Sequence, residues 1–343
     1  MTRAATIDLL LDAAELPTAS VSAVGSTATP ASTANPASHG GPSPAPQHKH
    51  SAVGAFNVIH IESAEAIAAG AEAAGRPTIM QISENCVKYH GRLAPIARAT
   101  LSIAESANVP IAVHLDHATD PELVTEAIDL GFDSVMYDGA HLDFDANVAT
   151  TAEVVRRAHA GGVAVEAELG EIGGKDGAHA PGVRTDPVEA ADFVDATGVD
   201  ALAVAVGSSH AMVQRTSRLD LDLIAALAQR LPVPLVLHGS SGVPDDEIVR
   251  AVAAGMRKIN ISTHLNRVFT ERLRGVLDTD PGLVDSRKYL GPARDSFAAE
   301  VARLITLLAV GEAADGVADG AGGGAAGEAD AQTHHSSSDG TGA

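Results

Sequence analysis

Residues 111–138 read IAVHLDHATDPELVTEAIDLGFDSVMYD. Ile111–Leu115 is a short apolar run of strand type, and Asp120-Pro121 puts a cap and a proline where a helix begins. Pro121–Leu130 then repeats its apolar residues at helical spacing, and Ser134–Tyr137 is a second strand. Two strands joined by a helix run parallel in one sheet. The same unit recurs on either side. Strands are expected at Val53–Phe56, Thr78–Ile82, Ile111–Leu115, Ser134–Tyr137, Ala164–Ala167, Ala201–Val206, Leu235–Leu237 and Lys258–Ile261. Helices are expected at Glu62–Ala74, Pro95–Ala107, Pro121–Leu130, Ala146–Ala160, Pro187–Thr197, Leu221–Arg230 and Asp245–Ala254, with another beginning near Leu265. Eight such units predict an α/β fold of the closed (β/α)8 type, a TIM barrel. The competing open, Rossmann-like sheet lacks a G-x-G-x-x-G after the first strand.

The barrel is assigned to residues 51–310, preceded by a short amphipathic helix, Thr6 to Glu15, that belongs to it (residues 1–16). Between them, residues 17–50 hold six prolines and only two large aliphatics, Val21 and Val24, too little apolar surface to offset ordering entropy. Residues 311–343 are Gly-, Ala- and Ser-rich with six acids and no Lys or Arg. Both stretches are expected to be disordered, and the histidines in them solvated. The chain of 343 residues carries 23 basic and 44 acidic side chains, a net charge of −21, which argues against nonspecific binding to nucleic acid or an anionic membrane. One cysteine, Cys86, precludes an internal disulfide framework and fits a reducing cytoplasm. No apolar run reaches the ~18 residues needed to cross a bilayer, and Asp8, Asp12 and Glu15 make the N-terminus a poor signal peptide.

The polar residues fall at the strand ends: Asn57, Ser83, Asp116-His117, Asp138, Glu168, His210, His238-Gly239 and Asn260. In a barrel these converge on the face where active sites are built. His117, His210 and His238 form a three-imidazole set suited to a catalytic Zn2+ with an open position. Neighbours on a strand point to opposite faces, so the chain must turn at Asp116-His117 to present both. Asp138 and Glu168 are read as partners orienting the ligand histidines or as alternate ligands. Glu166 alternates with Glu168 and is assigned to a buried hydrogen bond inside the barrel, outside the site. His114, two residues before Asp116, is assigned to a core hydrogen bond.

The small-residue loops His238-Gly239-Ser240-Ser241-Gly242 and Asn260-Ile261-Ser262-Thr263 offer backbone N–H groups and hydroxyls to an anion, where barrels frequently bind phosphate. The glycine-rich segment from Gly170 to Thr185 is long for a βα loop and suits a lid carrying a proton-transfer group. Its cations, Lys175 and Arg184, are candidates to approach a phosphate. These parts suit a phosphorylated substrate with a polarisable carbonyl, undergoing carbon–carbon cleavage or enolisation. A metallophosphatase and a non-catalytic zinc-binding barrel are the alternatives.

Six pieces carry a resemblance: Gly54-Ala55-Phe56-Asn57, Gln81-Ile82-Ser83, His114-Leu115-Asp116-His117, Glu166-Ala167-Glu168-Leu169-Gly170, Gly207-Ser208-Ser209-His210 and His238-Gly239-Ser240-Ser241-Gly242-Val243-Pro244. With Lys258-Ile259-Asn260-Ile261-Ser262-Thr263 they run in order through 51–310. The chain resembles the class II, zinc-dependent fructose-bisphosphate/tagatose-bisphosphate aldolases. The resemblance implies zinc on His117, His210 and His238, a second metal position at Asp138 and Glu168, and Asp116 exchanging a proton with the substrate C4 hydroxyl. It implies Asn57 and Ser83 near a dihydroxyacetone-phosphate moiety, and a phosphate site at Gly239, Ser241, Asn260 and Thr263 assisted by a monovalent cation, K+ or Na+. It further implies a cytoplasmic homodimer or homotetramer. The chain departs from the family's Gly-Gly-x-Glu-Asp with Gly173-Gly174-Lys175-Asp176-Gly177, so either Asp176 replaces the Glu that moves the C3 proton or the run is one residue short. Ala211 stands where a Gly usually follows the second histidine, and Ser262 is closer to the tagatose-type branch. Arg294 is the nearest match to the arginine expected at the second phosphate. The expected reaction is reversible cleavage of a ketose 1,6-bisphosphate, with a phosphorylated deoxy-keto sugar acid as the alternative substrate.

Overall fold

The computed structural model describes residues 6–14, 51–169, 184–209 and 214–309. The expectations for 17–50, for most of the lid and for 311–343 lie outside these residues. Within them eight parallel strands close in sequence order: β1 (Val53–Asn57), β2 (Thr78–Ser83), β3 (Ile111–Ala118), β4 (Ser134–Tyr137), β5 (Ala164–Leu169), β6 (Ala201–Val204), β7 (Leu235–Leu237) and β8 (Met256–Ile261). The ring is completed by β8 pairing with β1, Val53 opposite Lys258 and Ala55 opposite Asn260. This is the expected TIM barrel.

The helices are α1 (Thr6–Ala14), α2 (Ile61–Ala74), α3 (Glu84–His90), α4 (Ala94–Ser106), α5 (Pro121–Leu130), α6 (Phe144–Ala160), α7 (Pro187–Thr197), α8 (Leu221–Arg230), α9 (Asp245–Ala254), α10 (Thr263–Thr279) and α11 (Arg287–Leu308). Asp120 caps its helix as expected, and Asp186 and Asp220 likewise cap theirs, each with a carboxylate that accepts backbone N–H bonds. Two helices are unforeseen. The short α3 starts directly at a strand end, with Ser83 as its cap. The long α11 contains Pro292, which reads as a breaker in sequence. It packs along α2 and α10, and Gly70 permits the approach: a Cβ there would lie 2.7 Å from the Ala298 carbonyl oxygen.

Two apolar layers result. Outward-facing strand residues such as Phe56, Met80, Ile82 and Leu115 pack under the helices. Inside the barrel a smaller cluster joins Val53, Ala55, Ile79, Ala112, Met136, Ala201, Ala203, Ala205 and Val236 with Leu9 and Leu10 of α1. Alanines at the axis leave room, and α1 fills it from the end opposite the strand C-termini. Thr6 Oγ1 meets Ser134 Oγ at 2.7 Å there. Among the described residues no helix is long and apolar enough to cross a membrane.

Candidate active site

The strand C-termini surround a cleft of about 330 Å3 whose wall includes Asn57, Ser83, Asp116, His117, His238 and Asn260. The third strand resolves the conflict between Asp116 and His117 with a bulge. Pairing with β4 shifts register between Leu115 and Ala118. His117 is the non-glycine residue with positive φ among the described residues, at 51°. That conformation is uncommon for histidine, and it lets both side chains reach the cleft.

Asp116 is buried and held from three sides. Asn57 Nδ2 and Gln81 Nε2 each donate to Oδ2 at 3.4 Å, and Asn260 Nδ2 donates to Oδ1 at 3.2 Å. Burial works to raise its carboxyl, but its electrostatic interactions with His117, His238 and Lys258 outweigh burial and hold it below its ordinary value. The group is an ionised acceptor at neutral pH.

His117 and His238 stand edge to face with ring centroids 4.4 Å apart. His117 Nε2 lies 2.7 Å from His238 Nδ1. The other nitrogen of each ring meets a carboxylate: His117 Nδ1 to Asp138 Oδ2 at 2.8 Å, and His238 Nε2 to Glu166 Oε1 at 2.8 Å. Glu168 Oε2 is 3.8 Å from His117 Nδ1 and 3.9 Å from His238 Nδ1. Ionised carboxylates only accept, so the outer nitrogens carry the protons and the facing pair presents lone pairs. Two such lone pairs in contact call for a cation between them, a shared proton or a metal ion. Imidazole nitrogens backed by carboxylates are the donors that Zn2+ takes, so the residues present fit that ion.

The phosphate-type loops come together as the spacing suggests. Gly239, Ser241, Asn260 and Thr263 all line the cleft. Gly239 has φ 66°, and a Cβ on it would lie 2.7 Å from the backbone of Ser209, so only glycine serves. Ser241 Oγ accepts the His264 N–H at 3.2 Å, which ties the two loops. Ser83 Oγ accepts the Cys86 N–H at 3.2 Å and keeps its own proton to donate. His210 and Asp176 lie outside the described residues.

Glu166 and Arg294 stand differently from their sequence assignment, and Gln81 and Lys88 join the site without one. Glu166 does make its buried hydrogen bond, but to His238, so it belongs to the site it was kept out of. Gln81, 1% exposed, holds Asp116 and was not singled out. Lys88 is the cation lining the cleft among the described residues, paired with Glu84 at 2.8 Å. Arg294 does not line this wall: its guanidinium meets Glu65 at 2.9 Å on α2. His114 keeps its core role, with Nδ1 2.6 Å from Ser134 Oγ, and burial holds its ring well below the ordinary value and therefore neutral. Burial likewise pushes the Cys86 thiol up to about 11, which removes it as a nucleophile.

Residues 44–312 match the family described as fructose-bisphosphate aldolase class-II. The chain belongs to that family. It is 41% identical over 254 residues to the fructose-bisphosphate aldolase of Geobacillus stearothermophilus, covering 73% of this chain and 88% of that one. It is also 41% identical over 271 residues to the enzyme of the same name from Thermus caldophilus, covering 71% and 88%. Among solved structures, the YdjI aldolase from Escherichia coli K12 superposes with a TM-score of 0.67 at 31% identity, over 76% of this chain and 92% of that chain. As a class II aldolase the chain is a carbon–carbon lyase of a family that is zinc-dependent in general.

Proposed function

We propose that the chain catalyses reversible aldol cleavage of a ketose 1,6-bisphosphate to dihydroxyacetone phosphate and glyceraldehyde 3-phosphate, with fructose 1,6-bisphosphate the first substrate to test and its tagatose epimer the second. The observation that carries this reading is the facing pair His117 Nε2 and His238 Nδ1, 2.7 Å apart, beside the buried carboxylate of Asp116. His117, His238 and His210 are the proposed zinc ligands, with Asp138 and Glu168 as the second position. Zinc held there acts as a Lewis acid on the substrate carbonyl oxygen.

The chain's own residues do the rest. Asn57, Gln81 and Asn260 fix Asp116 as an acceptor, so it takes the proton of the C4 hydroxyl while the C3–C4 bond breaks. The bonding pair goes to C3, which the lid group Asp176 protonates. In condensation the same two protons move back. Gly239, Ser241, Asn260 and Thr263 are the proposed cradle for the dihydroxyacetone phosphate group, with K+ or Na+ offsetting its charge in an acidic protein. Asn57 and Ser83 bind the same half of the substrate. The single cysteine supports a cytoplasmic location, and the family resemblance supports a homodimer or homotetramer with a phosphosugar as its small-molecule partner.

Two variants test the assignment. His238→Ala is expected to lose both zinc and turnover. Asp116→Ala is expected to keep zinc and lose about 10²–10⁴ in kcat. Near-wild-type kcat in Asp116→Ala would contradict the proton-transfer role.

A further inference from the structure

The barrel interior below the cleft holds an ion pair that the chemistry above does not use. Lys258, on β8, is fully buried, and its Nζ lies 2.7 Å from Glu166 Oε2 on β5. The other oxygen, Glu166 Oε1, meets His238 Nε2 at 2.8 Å. Three side chains from three elements thus form one line across the axis, Lys258–Glu166–His238, ending at the nitrogen that faces His117.

We infer that Lys258 is a positioning residue for the metal centre, acting through Glu166 to fix which nitrogen of His238 is offered to the ion. The inference rests on His238 being a ligand, as proposed above. Donor–acceptor matching gives the reason. An ammonium only donates, so Oε2 of Glu166 accepts from it and the carboxylate has no proton of its own to give. Oε1 must then accept from His238, which puts the ring proton on Nε2. The lone pair is left on Nδ1, aimed at His117.

Asn260 Nδ2 also lies 3.2 Å from His238 Nε2, but it is a second donor on a nitrogen already committed as a donor, and its acceptor is Asp116 Oδ1 at the same 3.2 Å. His114 Nε2 is 3.8 Å from Glu166 Oε2, beyond hydrogen-bond reach, and has no partner of its own. It therefore does not replace the lysine.

A buried charge pair contributes little net stability against apolar residues of similar size. Its value here is directional. Partners that orient a ligand histidine are worth about 10–100-fold in metal affinity.

The test uses the whole chain labelled with 15N-histidine. Long-range 1H–15N spectra of the metal-free wild-type protein, assigned with His238→Ala, are expected to show His238 protonated at Nε2 and unprotonated at Nδ1. Competition with a chromophoric chelator is expected to show Lys258→Met binding zinc about 10–100-fold more weakly. The visible band of its Co2+ form should shift as well. If Lys258→Met does not fold, Glu166→Gln/Lys258→Met removes both buried charges and should show the same loss.

A proton on Nδ1 in the wild-type protein would overturn the inference. So would zinc affinity within about two-fold of wild type in whichever variant folds. If His238→Ala itself leaves zinc affinity unchanged, the ligand assignment fails first, and with it the inference.

Discussion

At the scale of residues the site is a set of paired commitments, and each pair predicts its own failure. Gln81 touches Asp116 and Asn57 but neither ring of the histidine pair. Gln81→Leu should therefore lower kcat with zinc content unchanged, read by steady-state kinetics and metal analysis on one preparation. Equal loss of zinc and rate would show that Gln81 supports the metal instead. The polar strand ends were readable because barrel topology gives them a common destination. The turn at Asp116-His117 was readable too, since the two-residue side-chain period forbids a regular strand there. The contacts not legible in the sequence lie one inward position deeper. Gln81 precedes Ser83 by two residues, Glu166 precedes Glu168 and Lys258 precedes Asn260, so the parity signal was present. Parity places a side chain inside the barrel but does not say what it touches across the axis. A single sequence cannot distinguish a carboxylate bonded to a ligand histidine from one bonded elsewhere in the core.

At the scale of elements, two glycines fix how parts dock. In Gly70→Ala the new methyl would meet Ala298 and Val301 of α11 at 2.7 Å. The substitution should cost about 1–3 kcal/mol in chemical unfolding and leave activity per folded molecule unchanged. Gly239→Ala strains a residue at φ 66° in the loop beside the proposed phosphate cradle. It should act on substrate, raising KM for the phosphorylated sugar more than it lowers stability. If Gly239→Ala changed stability alone, the loop would be a turn rather than a binding element. The boundaries of β4, β7 and α5, α7, α8 and α9 coincide with those expected, because proline, aspartate caps and glycine stops mark them. The two unforeseen helices are obscured for other reasons: α3 has a Ser83 cap and a Gly91 stop but abuts its strand, and α11 carries Gly291-Pro292 within it.

At the scale of the molecule, the outer helices are tied by charge. Glu300 meets His264 and Arg303, and Arg303 also reaches Asp245 on α9. Burial works to raise the Glu300 carboxyl, but the bonds from His264 and Arg303 outweigh it and hold it at about 2, below its ordinary 4.5. A carboxyl depressed on folding stabilises above its unfolded value and loses that contribution as protons return. The melting temperature should fall as pH drops from 4.5 towards 2, and Glu300→Gln should flatten that slope. An unchanged slope would remove the network from acid stability. A zinc-dependent aldolase site would reveal itself in cleavage of fructose 1,6-bisphosphate and tagatose 1,6-bisphosphate side by side, coupled to triose-phosphate reduction, with and without a chelator. Turnover of at least one sugar is expected, abolished by the chelator and restored by zinc. No turnover of either by zinc-loaded protein, or turnover indifferent to the chelator, would contradict it.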